Sequence, residues 1–369
     1  MILHLLTDEK FSDYVIKQFS EPEMRSEFVL VPSNGALHLV KRIDQCRVVR
    51  ARSKAFKDLL AALGAYTGIV LHGLFWSRWQ TPVLKSVPDH VKVAWVCWGG
   101  EIYSCRESGY TFRAPYTRLF LKVRHLFKRD SDNRSFDWEV PKELYKRLDY
   151  CTTSIEEEFE YARSFFQNDM RHVWYTYYSV EETVGPLMEE RCHGNNIWMG
   201  NSAAVCNNHL DMMFLLAKNK YRSKIKGRKL VTPLSYGEPW MRSIVDRVGS
   251  FLFKESFKPL RRFLPRDKYN ALMLDCSTLI IGATEPLAQG NIITALWLGM
   301  RVYLSEKSMS YLFFNRIGAV VFSLEKDLSK YYFSSLCDED VRKNREVLSH
   351  VYGKEHVMQG ARDLIQSLS

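Results

Sequence analysis

Short runs of apolar residues alternate along this chain with longer amphipathic segments. The apolar runs have the length of β-strands, and the stretches between them are long enough for helices, such as 54–64. One series of predicted strands covers residues 1–6, 27–31, 68–72, 91–97 and 149–153, and a second covers 196–200, 229–232, 277–282, 301–304 and 319–322. This alternation predicts an α/β protein with parallel sheets.

The two series of strands predict two domains. A chain of 369 residues is too long for one ordinary core, and Gly185, Pro186 and Gly194 interrupt a polar stretch between the series. We expect an N-terminal domain of residues 1–190 and a C-terminal domain of residues 191–369, with the last helix free to pack back onto the first domain.

Two strand ends stand out as ligand-binding edges. Residues 94–103 and 196–202 each run from an apolar strand directly into small polar residues. Loops at the carboxyl edge of an open parallel sheet present backbone amides to ligands. The pattern therefore predicts two facing halves with a ligand in the cleft between them.

The second half carries two candidate phosphate loops. Small residues follow the strand that ends at Met199, and Gly282 follows another strand, each before the start of a helix whose N–H groups favour an anion. The candidates for binding a phosphorylated donor are Gly200, Asn201, Ser202, Asn207, His209, Thr284, Glu285, Gln289, Gly290, Asn291 and Thr294. The alternative is an ordinary βα turn with an Asn or Ser cap, and for Glu285 a solvated loop acid.

Composition narrows the class of protein. Hydrophobic residues make up 46% of the chain and charged residues 25%, which is typical of a globular protein. The eight cysteines form no Cys-x-x-Cys pair, which favours reduced thiols in a cytosolic protein over disulfides or a zinc site. Residues 1–6 are too short an apolar run for a signal peptide, and no window reaches about 18 apolar residues, so we expect a soluble or peripheral protein.

The net charge of +10 is concentrated in two basic stretches. Residues 106–134 contain eight basic and three acidic side chains, and residues 218–229 contain seven basic side chains and no acid. Within the first stretch, residues 116–127 carry apolar side chains at helical spacing: Tyr116, Leu119, Phe120, Val123, Leu126 and Phe127. Such a helix either lies in the interface of an anionic bilayer or packs on a core with a solvated basic face.

Five landmarks together resemble one known family. They are Phe75-Trp76 after His72-Gly73, the block Trp98–Tyr103, Gly200–Ser202 with Asn207–His209, the strand end Val231–Tyr236, and Gln289–Ile292. In this order, over residues 1–325, they are similar to the TDP-N-acetylfucosamine:lipid II N-acetylfucosaminyltransferases, glycosyltransferase family 56, of enterobacterial common antigen assembly.

The resemblance implies a GT-B architecture, in which two Rossmann-like domains bind the acceptor and the sugar nucleotide respectively. It implies a peripheral bacterial enzyme at the cytoplasmic face of the inner membrane, with a nucleoside-diphosphate sugar as donor (TDP-linked favoured, UDP and GDP as alternatives) and a polyprenyl-diphosphate-linked saccharide as acceptor. It implies no metal and no other cofactor. Tyr236 joins the donor candidates, and the acceptor-side candidates are Trp98, Gly99, Gly100 and Tyr103.

Transfer to an acceptor hydroxyl with inversion needs a base, and Asp8, Glu101 and His72 are the candidates because each follows a strand of the first domain. Two acidic clusters, 130–132 and 338–340, offer a metal site, but neither follows a strand, so we expect none. The aromatic run 174–178 reads either as a strand or as a stacking surface. The second keeps a non-catalytic glycan- or nucleic-acid-binding protein as the alternative function, although we expect no nucleic-acid partner.

Overall fold

The computed structural model describes residues 1–9, 11–32, 37, 39–74, 79–103, 111–127 and 142–369, apart from the side chains of His125 and Phe127. The chain forms two compact units. The first unit comprises Met1–Cys105, Glu139–Ser179 and Lys354–Ser369, and the second comprises Arg106–Trp138 and Val180–Gly353. Three segments therefore depart from a single division at residue 190: residues 106–138 and 180–190 belong to the second unit, and the C-terminal residues 354–369 belong to the first.

The strands and helices alternate as the hydrophobic pattern predicts. In chain order the strands are β1 (Ile2–Leu6), β2 (Ser26–Leu30), β3 (Arg47–Val48), β4 (Gly68–His72), β5 (Lys92–Val96), β6 (Tyr150–Thr153), β7 (Arg171–Trp174), β8 (Asn196–Met199), β9 (Leu230–Pro233), β10 (Phe257–Leu260), β11 (Cys276–Ile281), β12 (Arg301–Leu304) and β13 (Phe322–Ser323). The helices are α1 (Ser12–Phe19), α2 (Lys54–Ala61), α3 (Gln80–Ser86), α4 (Gly100–Tyr103), α5 (Pro115–Phe127), α6 (Lys142–Tyr145), α7 (Glu156–Phe166), α8 (Val180–Val184), α9 (His209–Leu216), α10 (Asn219–Ile225), α11 (Pro239–Phe253), α12 (Arg266–Leu274), α13 (Gln289–Trp297), α14 (Met309–Arg316), α15 (Leu328–Tyr331), α16 (Asp338–Tyr352) and α17 (Lys354–Ser367).

Each unit is built around one parallel sheet. The strand order in the first is β3-β2-β1-β4-β5-β6-β7, and in the second β10-β9-β8-β11-β12-β13. The strand order reverses between β1 and β4, which pair with Leu5 opposite Leu71, and between β8 and β11, which pair with Met199 opposite Ile280. In doubly wound sheets, ligands bind outside the carboxyl ends of the strands at this reversal. The topology therefore points to the loops after β1, β4, β8 and β11.

Local sequence explains where helices begin. The side chain of Ser53 accepts a hydrogen bond from the backbone N–H of Phe56 and caps α2. The first turn of α7 carries Glu156, Glu157 and Glu158, whose negative charge is favourable at a helix N-terminus. The acidic cluster Asp338–Asp340 occupies the first turn of α16 in the same way.

The C-terminal helix α17 completes the core of the first unit. Ala361 and Leu364 of this helix, and Leu368 directly after it, are buried among side chains of β1 and α1. Gly360 allows close contact with β7, since a Cβ at this position would lie 2.8 Å from the backbone oxygen of Trp174. Residues at the chain end therefore form part of the first unit's core.

Three strands were not expected from the sequence: β3, β7 and β10. β3 has only two residues, both exposed, and β10 contains Pro259, so neither shows the apolar run of a central strand. The aromatic run 174–178 is not a strand, because β7 ends at Trp174, and the strand expected at 319–322 is instead β13.

The described cysteines are all free thiols: Cys46, Cys97, Cys151, Cys192, Cys206, Cys276 and Cys337. Over the residues that the structure describes, no helix combines the length and the apolar character needed to cross a bilayer.

Candidate functional site

Asp8 lies in the loop after β1, at the strand reversal of the first unit. One carboxylate oxygen, Oδ1, accepts hydrogen bonds from the backbone N–H groups of Leu39 and Val40 at 2.9 and 3.1 Å. The side chain is half-buried. Of the three candidate bases, Asp8 is the one that retains contact with solvent.

Glu101 is completely buried, and its carboxylate holds the loop after β5 together. Its oxygens accept hydrogen bonds from the backbone N–H of Leu74 at 2.9 Å, from the indole of Trp95 at 3.3 Å and from the backbone N–H of Trp98 at 3.2 Å. Burial raises the pKa of Glu101, although these donors lower it. This arrangement favours a role in positioning the Trp98 loop over proton transfer to an acceptor.

His72 belongs to a buried chain of hydrogen bonds. His72 Nε2 lies 3.0 Å from Nδ1 of His4, whose Nε2 lies 3.1 Å from Oγ of Ser26, and His72 Nδ1 lies 3.4 Å from the hydroxyl of Tyr177. The indole of Trp98 donates to that hydroxyl, so the tyrosine proton is directed to His72. The chain is complete when both rings are neutral and carry their proton on Nε2.

Burial keeps both of these histidines neutral. It lowers the pKa of His4 to about 3, and burial together with the neighbouring His4 lowers the pKa of His72 well below its ordinary value of 6.5. His72 is 1% exposed and both of its ring nitrogens are hydrogen-bonded to protein groups, so the ring is not available to take a proton from a substrate. Instead, His72 fixes the Tyr177 hydroxyl, which accepts the hydrogen bond from the Trp98 indole.

The acceptor-side candidates have different environments. Trp98 and Gly100 are half-buried, whereas Tyr103 is 1% exposed and stacks on Tyr161 with ring centroids 5.8 Å apart. Gly99 has a φ of +84° that favours glycine. Only Trp98 and Gly100 of this group are open to a ligand. The neighbouring landmark Phe75-Trp76 lies outside the described residues.

The loop after β8 in the second unit is held by its own side chains. Gly200 has a φ of +71°, and the amide oxygen of Asn207 accepts from the backbone N–H of Asn201 at 3.0 Å. The Asn207 amide group in turn donates to Oγ of Ser202 at 3.1 Å. Asn207 is completely buried, so its role is to shape the loop. The backbone N–H of Gly200 donates to the backbone oxygen of Ile280 at 2.9 Å, so the N–H groups of both Gly200 and Asn201 are used within the protein.

His209 opens α9 directly behind this loop. A Cβ at Gly200 would lie 2.6 Å from His209 Nε2, so the absence of a side chain at Gly200 makes room for the imidazole. The ring is completely buried, neither nitrogen has a hydrogen-bond partner, and burial lowers its pKa to about 3. The neutral ring supports the backbone of the loop and carries no charge for a leaving group.

The loop after β9 meets the loop after β8. The side-chain amide of Asn201 lies 3.4 Å from the hydroxyl of Tyr236, and the backbone N–H of Ala203 donates to the backbone oxygen of Tyr236 at 2.7 Å. Tyr236 is 45% exposed. Its exposed ring at this edge is suited to stack on a flat group of a ligand.

A buried ion pair joins Glu285, in the loop after β11, to Arg113. Arg113 was not among the candidates from the sequence. Arg113 Nη1 lies 2.7 Å from Oε2 of Glu285, and both side chains are almost fully buried. Burial lowers and the Glu285 carboxylate raises the pKa of Arg113, which remains a cation; burial raises the pKa of Glu285, and Arg113 opposes that shift. The two residues are 172 positions apart, so only the count of basic residues signalled Arg113 in the sequence.

Arg113 is placed by a short segment, residues 112–117, that is bonded to this carboxyl edge. The backbone oxygen of Phe112 accepts from the Thr284 hydroxyl at 2.9 Å, and the Asn208 amide accepts from the backbone N–H of Ala114 at 2.9 Å. Asn208 also donates to the backbone oxygen of Gly282 at 2.9 Å. Asn208 therefore joins this segment to the loop after β11.

The candidates around the start of α13 are partly engaged. The Gln289 amide donates to Ser310 Oγ at 2.7 Å, and the Asn291 amide donates to the hydroxyl of Tyr269 at 2.8 Å. Gly290 is half-buried, and Thr294 is 2% exposed within the helix. Thr294 thus packs in the core, while Gln289 to Asn291 form the half-buried N-terminal turn.

Helix α5 begins within the segment 112–117 and packs on the core of the second unit. Phe120 stacks on Trp240 at 6.2 Å, the Arg124 guanidinium lies 4.2 Å from the centre of the same ring, and Leu121 is buried in the unit's core. Four large apolar side chains on another face are exposed by 42 to 82%: Tyr116, Leu119, Val123 and Leu126. Arg118 and Lys122 are exposed beside that face. The helix therefore has a packed face and an exposed apolar face with a basic border.

Among the described residues, no group of three His, Cys, Asp or Glu is placed to hold a metal ion. The cluster 130–132 lies outside the described residues. The basic stretch 218–229 is partly in α10, where Lys220, Arg222 and Lys224 are exposed.

A cleft of about 890 Å³ lies at the opposite edge of the first unit's sheet. It is lined by residues at the amino ends of β1, β2 and β3, among them Arg25, Ser26 and Arg47. Within the first unit, the cleft and the candidate residues lie at opposite edges of the sheet. Ser26 lines the cleft and ends the hydrogen-bond chain of His72.

No protein-family model matches this chain, and no curated protein is similar to it in sequence. Solved structures are similar in fold. A sucrose-phosphate synthase from Thermosynechococcus elongatus is 11% identical, with a TM-score of 0.63 over 100% of this chain and 98% of that one. A glycosyltransferase from Rickettsia africae is 10% identical, with a TM-score of 0.63 over the same shares. The lipopolysaccharide outer core galactosyltransferase WaaB is 12% identical, with a TM-score of 0.54 over 100% and 99%.

These proteins define the class of fold. Their likeness covers the entire chain, and both parallel-sheet units of this protein have the α/β architecture of GT-B glycosyltransferases. The expected GT-B fold is therefore confirmed. At such low identities the likeness establishes the fold, while the activity has to be argued from the residues.

Proposed function

We propose that this protein is a glycosyltransferase that uses a nucleoside-diphosphate sugar as donor. The observation that carries the proposal is the meeting of three loops at the strand reversal of the second unit, after β8, β9 and β11, in a chain with the GT-B fold. Glycine, small polar residues and helix N-termini at such an edge favour a phosphate. The similar structures include a glycosyltransferase and a galactosyltransferase, which supports the same reaction class.

In the proposed reaction, an acceptor hydroxyl oxygen forms a bond to the anomeric carbon of the donor sugar. The bond from that carbon to the diphosphate oxygen breaks, and the nucleoside diphosphate leaves with the electron pair. With inversion, the hydroxyl proton passes to a carboxylate, for which Asp8 is the candidate because it is half-buried, whereas the Glu101 carboxylate and both His72 ring nitrogens are held by hydrogen bonds within the protein. The backbone N–H of Ser202 and those at the start of α13, from Gln289 to Asn291, are assigned to the leaving diphosphate, since the N–H groups of Gly200 and Asn201 already donate within the protein. The proposal requires no metal.

For the acceptor we propose a polyprenyl-diphosphate-linked saccharide at the cytoplasmic face of a bacterial inner membrane. The exposed apolar face of α5, bordered by Arg118 and Lys122, is suited to lie in the headgroup region of an anionic leaflet. The packing of Phe120 and Leu121 fixes the helix so that this face stays exposed. A peripheral attachment of this kind would bring the enzyme to a lipid-linked substrate.

The donor sugar proposed is a deoxy or acetamido sugar of the fucosamine type, with TDP favoured over UDP and GDP. This part rests on the resemblance in sequence alone. Trp98 and Gly100 of the first unit are proposed for the acceptor, because they are the accessible members of their group.

The test is a thermal-shift screen with TDP, UDP and GDP and their sugars, followed by a transfer assay with a polyprenyl-diphosphate-linked acceptor. The expected result is a rise in Tm with one nucleoside diphosphate and release of that diphosphate only when the acceptor is present. Binding of oligosaccharide or nucleic acid without any nucleotide response would favour the non-catalytic alternative.

A further inference from the structure

The buried ion pair at the carboxyl edge of the second unit is an unusual way to hold a loop. Arg113 and Glu285 have 2% and 8% of their side-chain surface exposed. Removing two charges from water costs several kcal/mol for each ion, and the attraction between them repays little more than that cost. A buried pair therefore adds little to stability, which directs attention to what else the charge could bind.

The position of Arg113 supplies the second observation. Its neighbour Phe112 is bonded to Thr284, and its neighbour Ala114 is bonded to Asn208, the residue that precedes α9. The guanidinium consequently lies in the second unit beside the loop after β11 and the N-terminus of α9. These are the elements to which the donor phosphates are assigned.

Arg113 also differs from the other buried arginine. Among the described residues, Arg113 and Arg301 are the two buried arginines. Arg301 opens β12 at the amino edge of the sheet, where its guanidinium donates to the backbone oxygens of Ser334 and Ser335. Within the described part of the second unit, the buried arginine at the carboxyl edge is thus Arg113.

We propose that Arg113 is the cation that binds the diphosphate of the donor, and that Glu285 holds the guanidinium in place until the diphosphate replaces the carboxylate. The inference rests on the proposed function. A guanidinium binds two oxygens of a phosphate in a planar fork, and a diphosphate carries more negative charge than one carboxylate. The exchange leaves the Glu285 carboxylate available to accept hydrogen bonds from the hydroxyls of the donor sugar.

The first test compares Arg113→Gln with the unmodified protein by calorimetry, using the nucleoside diphosphate that the unmodified protein binds and the corresponding nucleoside. The diphosphate is expected to bind about ten- to a hundredfold more weakly, because a charged hydrogen bond is lost, while nucleoside affinity stays unchanged. The matched control is Arg261→Gln. Arg261 forms an exposed pair with Asp246 in the same unit, and its loss should change neither affinity.

The second test uses Glu285→Gln, which keeps the shape of the side chain and removes its charge. It leaves the Arg113 cation buried without a counterion, so the free protein should melt at a lower temperature. The diphosphate supplies the missing negative charge, so it should raise the Tm of Glu285→Gln by more than that of the unmodified protein. A purely structural pair would not make Arg113→Gln bind the diphosphate more weakly while Glu285→Gln gains more stability from the same ligand.

Equal losses for nucleoside and diphosphate in both variants would overturn the inference, as would unchanged diphosphate affinity in Arg113→Gln. If that variant fails to fold, Arg113→Lys keeps the charge without the fork and should bind the diphosphate with an intermediate affinity. If the unmodified protein binds no nucleoside diphosphate, the proposed function itself fails. If the unmodified protein binds the nucleoside diphosphate and Arg113→Gln binds it equally well, the role of Arg113 is refuted and the proposed function stands.

Discussion

Replacing Leu119 and Leu126 of α5 with serine should detach the protein from membranes without unfolding it. The two side chains are 59% and 82% exposed, so together they expose more surface than one fully exposed leucine. Burial of a leucine is worth roughly 1.5 to 3 kcal/mol, so the double variant should lose at least about 2 kcal/mol of partitioning free energy. This corresponds to about thirtyfold weaker binding. Neither side chain is part of the packed face, so the Tm should stay within about 1 to 2 °C.

The assay is co-sedimentation with vesicles containing anionic phosphatidylglycerol, over a range of lipid concentrations. Leu312→Ser is the matched control, since Leu312 is 49% exposed on α14 of the same unit, and it should bind as the unmodified protein does. Lys122→Gln should weaken binding about fivefold on anionic vesicles only, because one basic residue near such a surface contributes about 1 kcal/mol. Unchanged binding of the double variant, or no binding of the unmodified protein, would refute the membrane role of α5.

Three further outcomes are expected. Asp8→Asn should lower kcat for transfer by about a hundredfold or more, whereas Glu101→Gln should lower it by less than about tenfold in the same steady-state assay; the reverse order would contradict the assignment of the base. The free energy of unfolding should fall between pH 7.5 and pH 5, by about 2 kcal/mol for each buried neutral histidine. In the case of His4, the unfolded chain takes up a proton below pH 6.5 that the folded state, with a pKa of about 3, excludes. Denaturant titrations at the two pH values measure the difference, and a flat profile would count against the neutral pair. Gly200→Ala should destabilise by about 2 kcal/mol or more, since its φ is positive and the added Cβ meets a buried ring, while Gly227→Ala, also at positive φ but with nothing within 4 Å, should cost only about 1 kcal/mol.

The central strands and the edge loops were predictable from local pattern. β1, β4, β8 and β11 are mostly apolar and almost entirely buried because both faces of a parallel sheet are covered, and the small residues that follow them mark the carboxyl edge. Short edge strands such as β3 and β10 lack this signature, since one side of each faces solvent.

The partners of the site residues were not predictable from local pattern. Glu101 and His72 read as loop and strand-end candidates for a base, but their burial depends on Leu74, Trp95 and Tyr177, which come from other elements. The helix α5 showed its apolar spacing in the sequence. Its place in the second unit follows from contacts that only the folded chain makes, such as that between Phe120 and Trp240.

The same limit applies to Arg113. In the sequence it is one of eight basic residues in a long stretch, and nothing nearby indicates a carboxylate partner. The pair with Glu285 is created by the hydrogen bonds that fix residues 112–117 to the loop after β11 and to Asn208. A long-range contact of this kind carries no periodicity that a single sequence could reveal.

The most direct test of the donor site is a crystal structure of the protein with the nucleoside diphosphate that it binds. The diphosphate is expected beside Ser202 and along the loop from Thr284 to Asn291 in the second unit. A diphosphate bound elsewhere, for example in the cleft near Arg25 and Arg47 of the first unit, would contradict the central claim.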